Sequence, residues 1–184
     1  MKKNCLSEFT LLFAILCVIT FRNADAQVDA HFSQYYAYPL WLNPGLTGVM
    51  DGDFRLTANY RRQWAGISDP YSTEAFSFDG RPFSHLSLGG TVLDESAGTA
   101  GYSYLNALAS AAYGVILDAG QMNILSVGIQ AGVIGHHFDP GKLQSGSQWS
   151  PVFGYDPGIP SGEVFTKNSA MGLDANVGLF YYNR

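Results

Sequence analysis

Cysteine is nearly absent from this sequence: its two examples, Cys5 and Cys17, both lie close to the N-terminus. That region carries the pattern of a cleavable signal peptide, with two lysines, an apolar run and a small-x-small site at residues 24–26. The apolar run is shorter than the about 20 residues that a membrane-spanning helix needs, which favours an export signal over a retained anchor. Cleavage would leave Gln27 as the first residue of a chain without thiols, which excludes disulfides, cysteine nucleophiles and zinc-thiolate sites.

Charged residues are also few. They make up 14% of the chain, and 15 acidic residues stand against 10 basic ones. Residues 1–26 hold three of the basic and two of the acidic residues, so the mature chain stays net negative. We therefore expect no nucleic-acid partner. Aromatic residues reach 14% and glycine is frequent, a profile that favours many short strands over helices.

Six segments alternate apolar and polar residues with a period of two, which indicates β-strands. In the fifth segment, Val127 and Ile129 lie on the apolar face and Gly128 lies on the polar one. Several segments reach the about 9–11 residues that a tilted transmembrane strand requires. The predicted strands are residues 53–60, 71–78, 86–93, 102–113, 122–134 and 170–182.

These strands predict an all-β fold, an antiparallel transmembrane β-barrel of the outer-membrane type. Tyr60, Trp64 and Tyr113 stand near predicted strand ends, where such barrels place aromatic girdles. A soluble β-sandwich, which also alternates, is the alternative. Because the smallest single-chain barrels have eight strands, the barrel is expected to be incomplete here, either truncated or completed by another chain.

The predicted organisation has three parts: a signal peptide (1–26), an N-terminal aromatic segment (27–52) and the first part of the barrel (53–184). If the aromatic segment begins in the periplasm, the longest connection, residues 135–169, lies outside the cell. Outer-membrane barrels place their long loops there. The connections near residues 79–85 and 114–121 would then be periplasmic.

No motif of a catalytic or cofactor-binding site occurs in the sequence, so we expect neither enzyme activity nor a cofactor or metal. Asp94 and Glu95 are predicted to form a solvated turn rather than a calcium site. His136 and His137 are expected to lie in a loop rather than to bind a metal, because adjacent histidines in a strand would point to opposite faces. Arg55 is expected on the polar face, paired with Asp53 or with an acidic neighbour across the sheet.

Several stretches resemble the PorP/SprF family, which are type IX secretion system membrane proteins of the Bacteroidetes. The similarity is strongest in the opening motif, residues 29–36 (DAHFSQYY) followed by Asn43, Pro44 and Gly45, and it continues through residues 58–64 and 173–178. At position 45 the family more often has alanine. The resemblance implies an outer-membrane protein that supports protein secretion, or the attachment of adhesins in gliding species. It also implies contacts with other type IX components and with exported proteins.

Two alternative functions remain open: a general outer-membrane porin or transporter, and a secreted β-sandwich adhesin. The aromatic opening segment also has two interpretations. It either packs into the mouth or lumen of the barrel, or serves as a docking element for a periplasmic partner. The candidate docking residues are His31, Phe32, Ser33, Gln34, Tyr35, Asn43 and Pro44.

Overall fold

The computed structural model describes residue 30 and residues 32–66, 70–98, 101–120 and 122–183. The predicted signal peptide lies outside these residues. The first five strands form an antiparallel meander: β1 (Phe54–Gln63), β2 (Tyr71–Gly80), β3 (Leu86–Ala97), β4 (Tyr102–Ile116) and β5 (Asn123–His137). A two-stranded hairpin follows, made of β6 (Trp149–Ser150) and β7 (Gly154–Tyr155), and then β8 (Ser169–Asn183) pairs with β5. All six predicted strands are confirmed, and each is longer than predicted.

Helical structure is short. The described residues contain one α-helix, α1 (Pro39–Leu42), with proline at its start where a missing N–H costs nothing. Among these residues, no helix has the length and apolar character needed to cross a membrane. Four 3₁₀ turns complete the helical content: Tyr35–Ala37, Pro44–Leu46, Pro140–Lys142 and Gly146–Gln148.

The prediction of a turn at Asp94 and Glu95 is wrong, because β3 continues to Ala97. The two acidic residues keep the alternation of the strand: Asp94 is exposed, and Glu95 accepts a hydrogen bond from Thr73 Oγ1 at 3.0 Å. β5 likewise runs on to His137, so the long connection is residues 138–168 and starts later than predicted. In both places cross-strand pairing continues beyond the end of the alternation between apolar and polar residues.

The sheet is buried on its polar face and exposed on its apolar face. Ser77 and Asp79 are completely buried, whereas Ile129 is 60% exposed and Leu173 is 89% exposed. A β-sandwich buries its apolar face against a second sheet, and the described residues contain no such sheet. We call the exposed apolar side the outer face and the buried polar side the inner face. This architecture is that of an incomplete outer-membrane-type barrel, in which the outer face meets lipid.

The two ends of the sheet differ. Residues 64–70, 98–101 and 138–168 connect the strands at one end, which we call the loop end, and residues 81–85 and 117–122 connect them at the other, the turn end. At the loop end, the outer face carries one row of polar residues at directly paired positions, one on each strand. They are Arg62, Ser72, Ser96, Ser103, His137 and Ser169.

The turn between β4 and β5 is held by Asp118. Its carboxylate accepts a hydrogen bond from the backbone N–H of Asn123 at 2.7 Å, and such backbone bonds lower the pKa of this carboxyl below its ordinary value. A carboxyl whose pKa is lower in the folded state than in the unfolded state stabilises the fold at pH values above its unfolded-state pKa. That contribution is lost as the pH falls through the folded pKa.

Candidate functional site

The inner face is covered by the chain's own N-terminal segment, here called the plug (Ala30 and residues 32–52). Three hydrogen bonds mark its course. Asn59 Nδ2 donates to the carbonyl of Ala37 at 3.3 Å, and Gln130 Nε2 donates to the carbonyl of Leu40 at 3.4 Å. Further along, the N–H of Gly48 donates to Asp79 Oδ2 at 2.7 Å. The structure therefore shows the packing that one of the two interpretations of this segment expected.

An aromatic cluster anchors the first part of the plug. Tyr38 is completely buried, with its ring edge-on to Phe32 at 5.4 Å and stacked on Trp41 at 6.4 Å. Its hydroxyl donates to the carbonyl of Phe76 at 3.1 Å and also bonds Thr91 Oγ1. A buried tyrosine whose hydroxyl is paired combines a large apolar contact with a fixed orientation.

The middle of the plug lies directly on the backbone of β5 and β8. The side-chain oxygen of Asn43 accepts from the N–H of Gly45 at 2.7 Å, which caps the Pro44–Leu46 turn. The side-chain nitrogen of Asn43 donates to the carbonyl of Leu179 at 3.0 Å. This close approach requires Gly128 and Gly178, which pair directly across the two strands. A Cβ at Gly128 would overlap the carbonyl of Pro44, and a Cβ at Gly178 would overlap the side-chain oxygen of Asn43.

We expect Gly128→Ala and Gly178→Ala each to destabilise the folded protein by about 1–3 kcal/mol, the usual cost of overpacking. Gly172→Ala is the matched control: it lies on the inner face of β8, where a new Cβ would meet Ile134 at an ordinary 3.4 Å. Urea unfolding of the refolded protein, together with chymotrypsin cleavage after the half-buried Trp41, measures the effect. A Gly128→Ala protein as stable and as protected as the control would contradict the close packing.

The last part of the plug is fixed by an ion pair, here called the lock. Arg55 and Asp79 face each other directly across β1 and β2, and Arg55 Nη2 lies 2.8 Å from Asp79 Oδ2. Arg55 also donates to the carbonyls of Leu46 at 3.1 Å and Val49 at 3.2 Å. The predicted pairing with an acidic neighbour across the sheet is confirmed, with Asp79 as the partner. The contacts of the same guanidinium with the plug were not predicted.

The candidate docking residues divide into two groups. Phe32 and Pro44 are buried against the sheet, and Asn43 is half-buried and bonded to β8. His31 lies outside the described residues. The exposed members are Ser33, Gln34 and Tyr35, and Tyr36, which the sequence did not single out, is exposed beside them.

The expectation that His136 and His137 lie in a loop is wrong: both belong to β5, because its pairing with β8 continues to His137. His136 is half-buried and its Nδ1 lies 2.9 Å from the hydroxyl of Tyr102, whereas His137 is exposed in the outer polar row. Within the described part of the chain, no group of three or more His, Cys, Asp or Glu residues has the geometry to hold a metal ion.

The plug leaves space at the turn end. A cavity of about 1260 Å³ opens there, bordered by Val49, Arg81, Ser84 and Tyr182. Arg81 donates to the carbonyl of Gly52 at 3.0 Å, so the plug is tied to this end as well.

An antiparallel sheet that is apolar outside and polar inside, and whose inner face is occupied by an N-terminal plug, defines a class: membrane β-barrel proteins with a filled interior. The particular family follows from comparison with known proteins. The chain belongs to the family described as type IX secretion system membrane protein PorP/SprF, which matches residues 24–184. The family expected from the opening motif is therefore confirmed.

The family is a membrane component of a secretion system and is not known as an enzyme family. No curated protein matches the sequence, and no solved structure matches it.

Proposed function

We propose that this protein is an outer-membrane component of the type IX secretion system that supports the export or surface attachment of secreted proteins, adhesins among them. The family match over residues 24–184 carries the proposal. The apolar outer face adds support, because it is suited to lipid. In this proposal residues 1–26 are a signal peptide, residues 27–52 form the N-terminal segment and residues 53–184 form the first part of the barrel.

The occupied inner face supports a role in protein contacts rather than in solute diffusion. A porin needs a water-filled path lined by polar groups. Here Arg55, Asp79 and Gln130 direct their polar atoms to the plug. A general porin or transporter thus finds less support than a secretion component, although solute uptake remains the measurement that separates the two.

We further propose that the loop end faces outward. The 138–168 connection is the longest, and long connections lie outside in outer-membrane barrels. It has an ordered interior, in which Gln148 Nε2 donates to the carbonyl of Ile159 at 2.8 Å, and an apolar tip at Val152 and Phe153. Protease added to whole cells should cut this loop before the 81–85 connection. Cleavage at 81–85 with the loop protected would reverse the orientation.

Deletion of the gene should block surface delivery of a subset of exported proteins while leaving small-solute uptake nearly unchanged. Cell-surface proteomics and uptake assays on the deletion strain measure the two outcomes, and the wild-type gene restores delivery in the control. A strain that loses only nutrient uptake would replace this proposal with the porin alternative.

The partners proposed are other type IX components and exported proteins, met through the exposed residues Ser33, Gln34 and Tyr35. A Gln34→Ala/Tyr35→Ala variant should insert normally, because both side chains are exposed, yet deliver less exported protein. Leu42→Ala, which changes an exposed plug residue outside this group, is the matched control. Full delivery by the double variant would remove these residues from the docking surface.

A further inference from the structure

The plug crosses the inner face in a defined direction, from the loop end to the turn end. Its beginning lies near the loop end, because Ala30 and Phe32 pack with Tyr104 in one cluster. Tyr104 pairs with Glu95 and His136, close to the loop-end tips of β3 and β5. The indole Nε1 of Trp41 donates to the carbonyl of Ala30 at 3.1 Å and fixes this beginning in place.

The other end of the plug lies at the turn end. Gly48 bonds Asp79, and Arg81 bonds the carbonyls of Met50 and Gly52, directly before β1 starts at Phe54. Between the two ends, the contacts follow the order of the chain. Ala37 meets Asn59, which lies four residue pairs along β1 from the lock. The lock residue Arg55 then meets Leu46 and Val49. The segment that precedes β1 therefore does not begin at the end where β1 begins.

Residues 33–36, here called the tyrosine turn, consequently belong to the loop-end part of the plug. Tyr35 and Tyr36 are 65% and 64% exposed, with their rings edge to face at 5.7 Å. Residues 30–50 include no Asp, Glu, Lys or Arg. Paired tyrosines offer a large, rigid contact area and hydroxyl hydrogen bonds, so the surface suits a neutral polypeptide segment.

We propose that the tyrosine turn is presented at the cell-surface mouth, where it contacts exported polypeptide, rather than at the periplasmic mouth. This inference rests on the proposed outward orientation of the loop end. It differs from the docking interpretation in the sequence analysis, in which the partner was periplasmic. The exposed Trp149 and Phe153 of the 138–168 connection provide further aromatic surface at the same end of the sheet.

Both cysteines lie in the proposed signal peptide, so a single introduced thiol would be the only one in the processed chain and the test is direct. Ser33→Cys reports the tyrosine turn, Val164→Cys the long connection and Ser84→Cys the turn end; all three residues are exposed. Thr47→Cys, buried in the same plug, reports background labelling. With a membrane-impermeant maleimide on whole cells, positions 33 and 164 should be labelled. Position 84 should be labelled only after the outer membrane is permeabilised.

The outcomes are distinguishable. If position 164 is labelled on whole cells but position 33 only after permeabilisation, or in neither state, the surface assignment of the tyrosine turn is wrong and the proposed orientation stands. If position 164 is protected on whole cells, the orientation itself is wrong, and the surface assignment falls with it.

The partner is tested with a photo-crosslinker attached from outside the cell to the thiol of the Ser33→Cys variant. It should capture, even at high salt, proteins whose surface delivery depends on this gene, because the contact is uncharged. The same crosslinker on the Val164→Cys variant is the control for proximity at this end. Capture of periplasmic proteins alone would overturn the assignment of the partner.

Discussion

Replacing Asp79 with alanine is expected to lower the free energy of unfolding by about 3–5 kcal/mol, the range for removing one partner of a buried ion pair. The Asp79 side chain is completely inaccessible, and that of Arg55 is 22% exposed. The substitution removes the carboxylate partner of the Arg55 guanidinium. It also leaves the N–H of Gly48 without its acceptor at 2.7 Å. It therefore weakens the sheet and the attachment of the plug together.

Urea unfolding of the refolded protein in detergent measures this loss, and protease protection of residues 43–50 shows whether the plug is released. Asp51→Ala is the matched control, since Asp51 is an exposed acidic residue just before β1. A paired Arg55→Met/Asp79→Leu variant removes both charges and should recover part of the stability. An Asp79→Ala protein that unfolds like the Asp51→Ala protein would refute the lock.

Arginine in place of Ile129 is expected to cost about 2–4 kcal/mol in a bilayer, the range for a cation on the lipid face near the midplane. Ile129 is 60% exposed and pairs with Ala111 and Val177, so apolar positions surround it on the outer face. Exchange for valine or leucine at the same position should be tolerated, because lipid does not select the shape of a side chain.

Unfolding from lipid vesicles measures this cost. Ser96→Arg is the control, because Ser96 lies in the outer polar row, which we expect near the membrane interface. Arginine costs only about 0–1 kcal/mol at the interface. Equal effects at the two positions would mean that the apolar band does not lie in the hydrocarbon region.

Most of the fold could be predicted from sequence because a strand repeats every two residues and the apolar residues here keep that period. The prediction of the strand ends failed where strand pairing continues although the apolar and polar residues no longer alternate. Asp94 and Glu95 point to opposite faces, but both side chains are acidic. No change from apolar to polar therefore marks them as strand residues. The outer polar row, which includes His137, likewise lacks apolar residues although its members are paired. The strands therefore extend beyond their apolar parts.

The candidate site was less predictable, because its contacts join distant parts of the chain. Arg55 and Asp79 could be paired in principle, since neighbouring strands meet in register. The Asn43 contact with Leu179 spans 136 residues, and no local pattern indicates it. The alternation placed Gly128 on the polar face, but only the structure shows that the plug occupies the space that Gly128 and Gly178 leave.

The course of the plug also constrains the order in which the protein assembles. The contact of Gly48 with Asp79 spans 31 residues and needs only the β1–β2 hairpin, whereas Asn43 cannot reach its acceptor until β8 has been added. Contacts with small sequence separation close at lower entropic cost and form earlier. We therefore expect the N-terminal segment to be tethered to the first hairpin before the later strands are added, so that each later strand packs against a segment that precedes it in the chain.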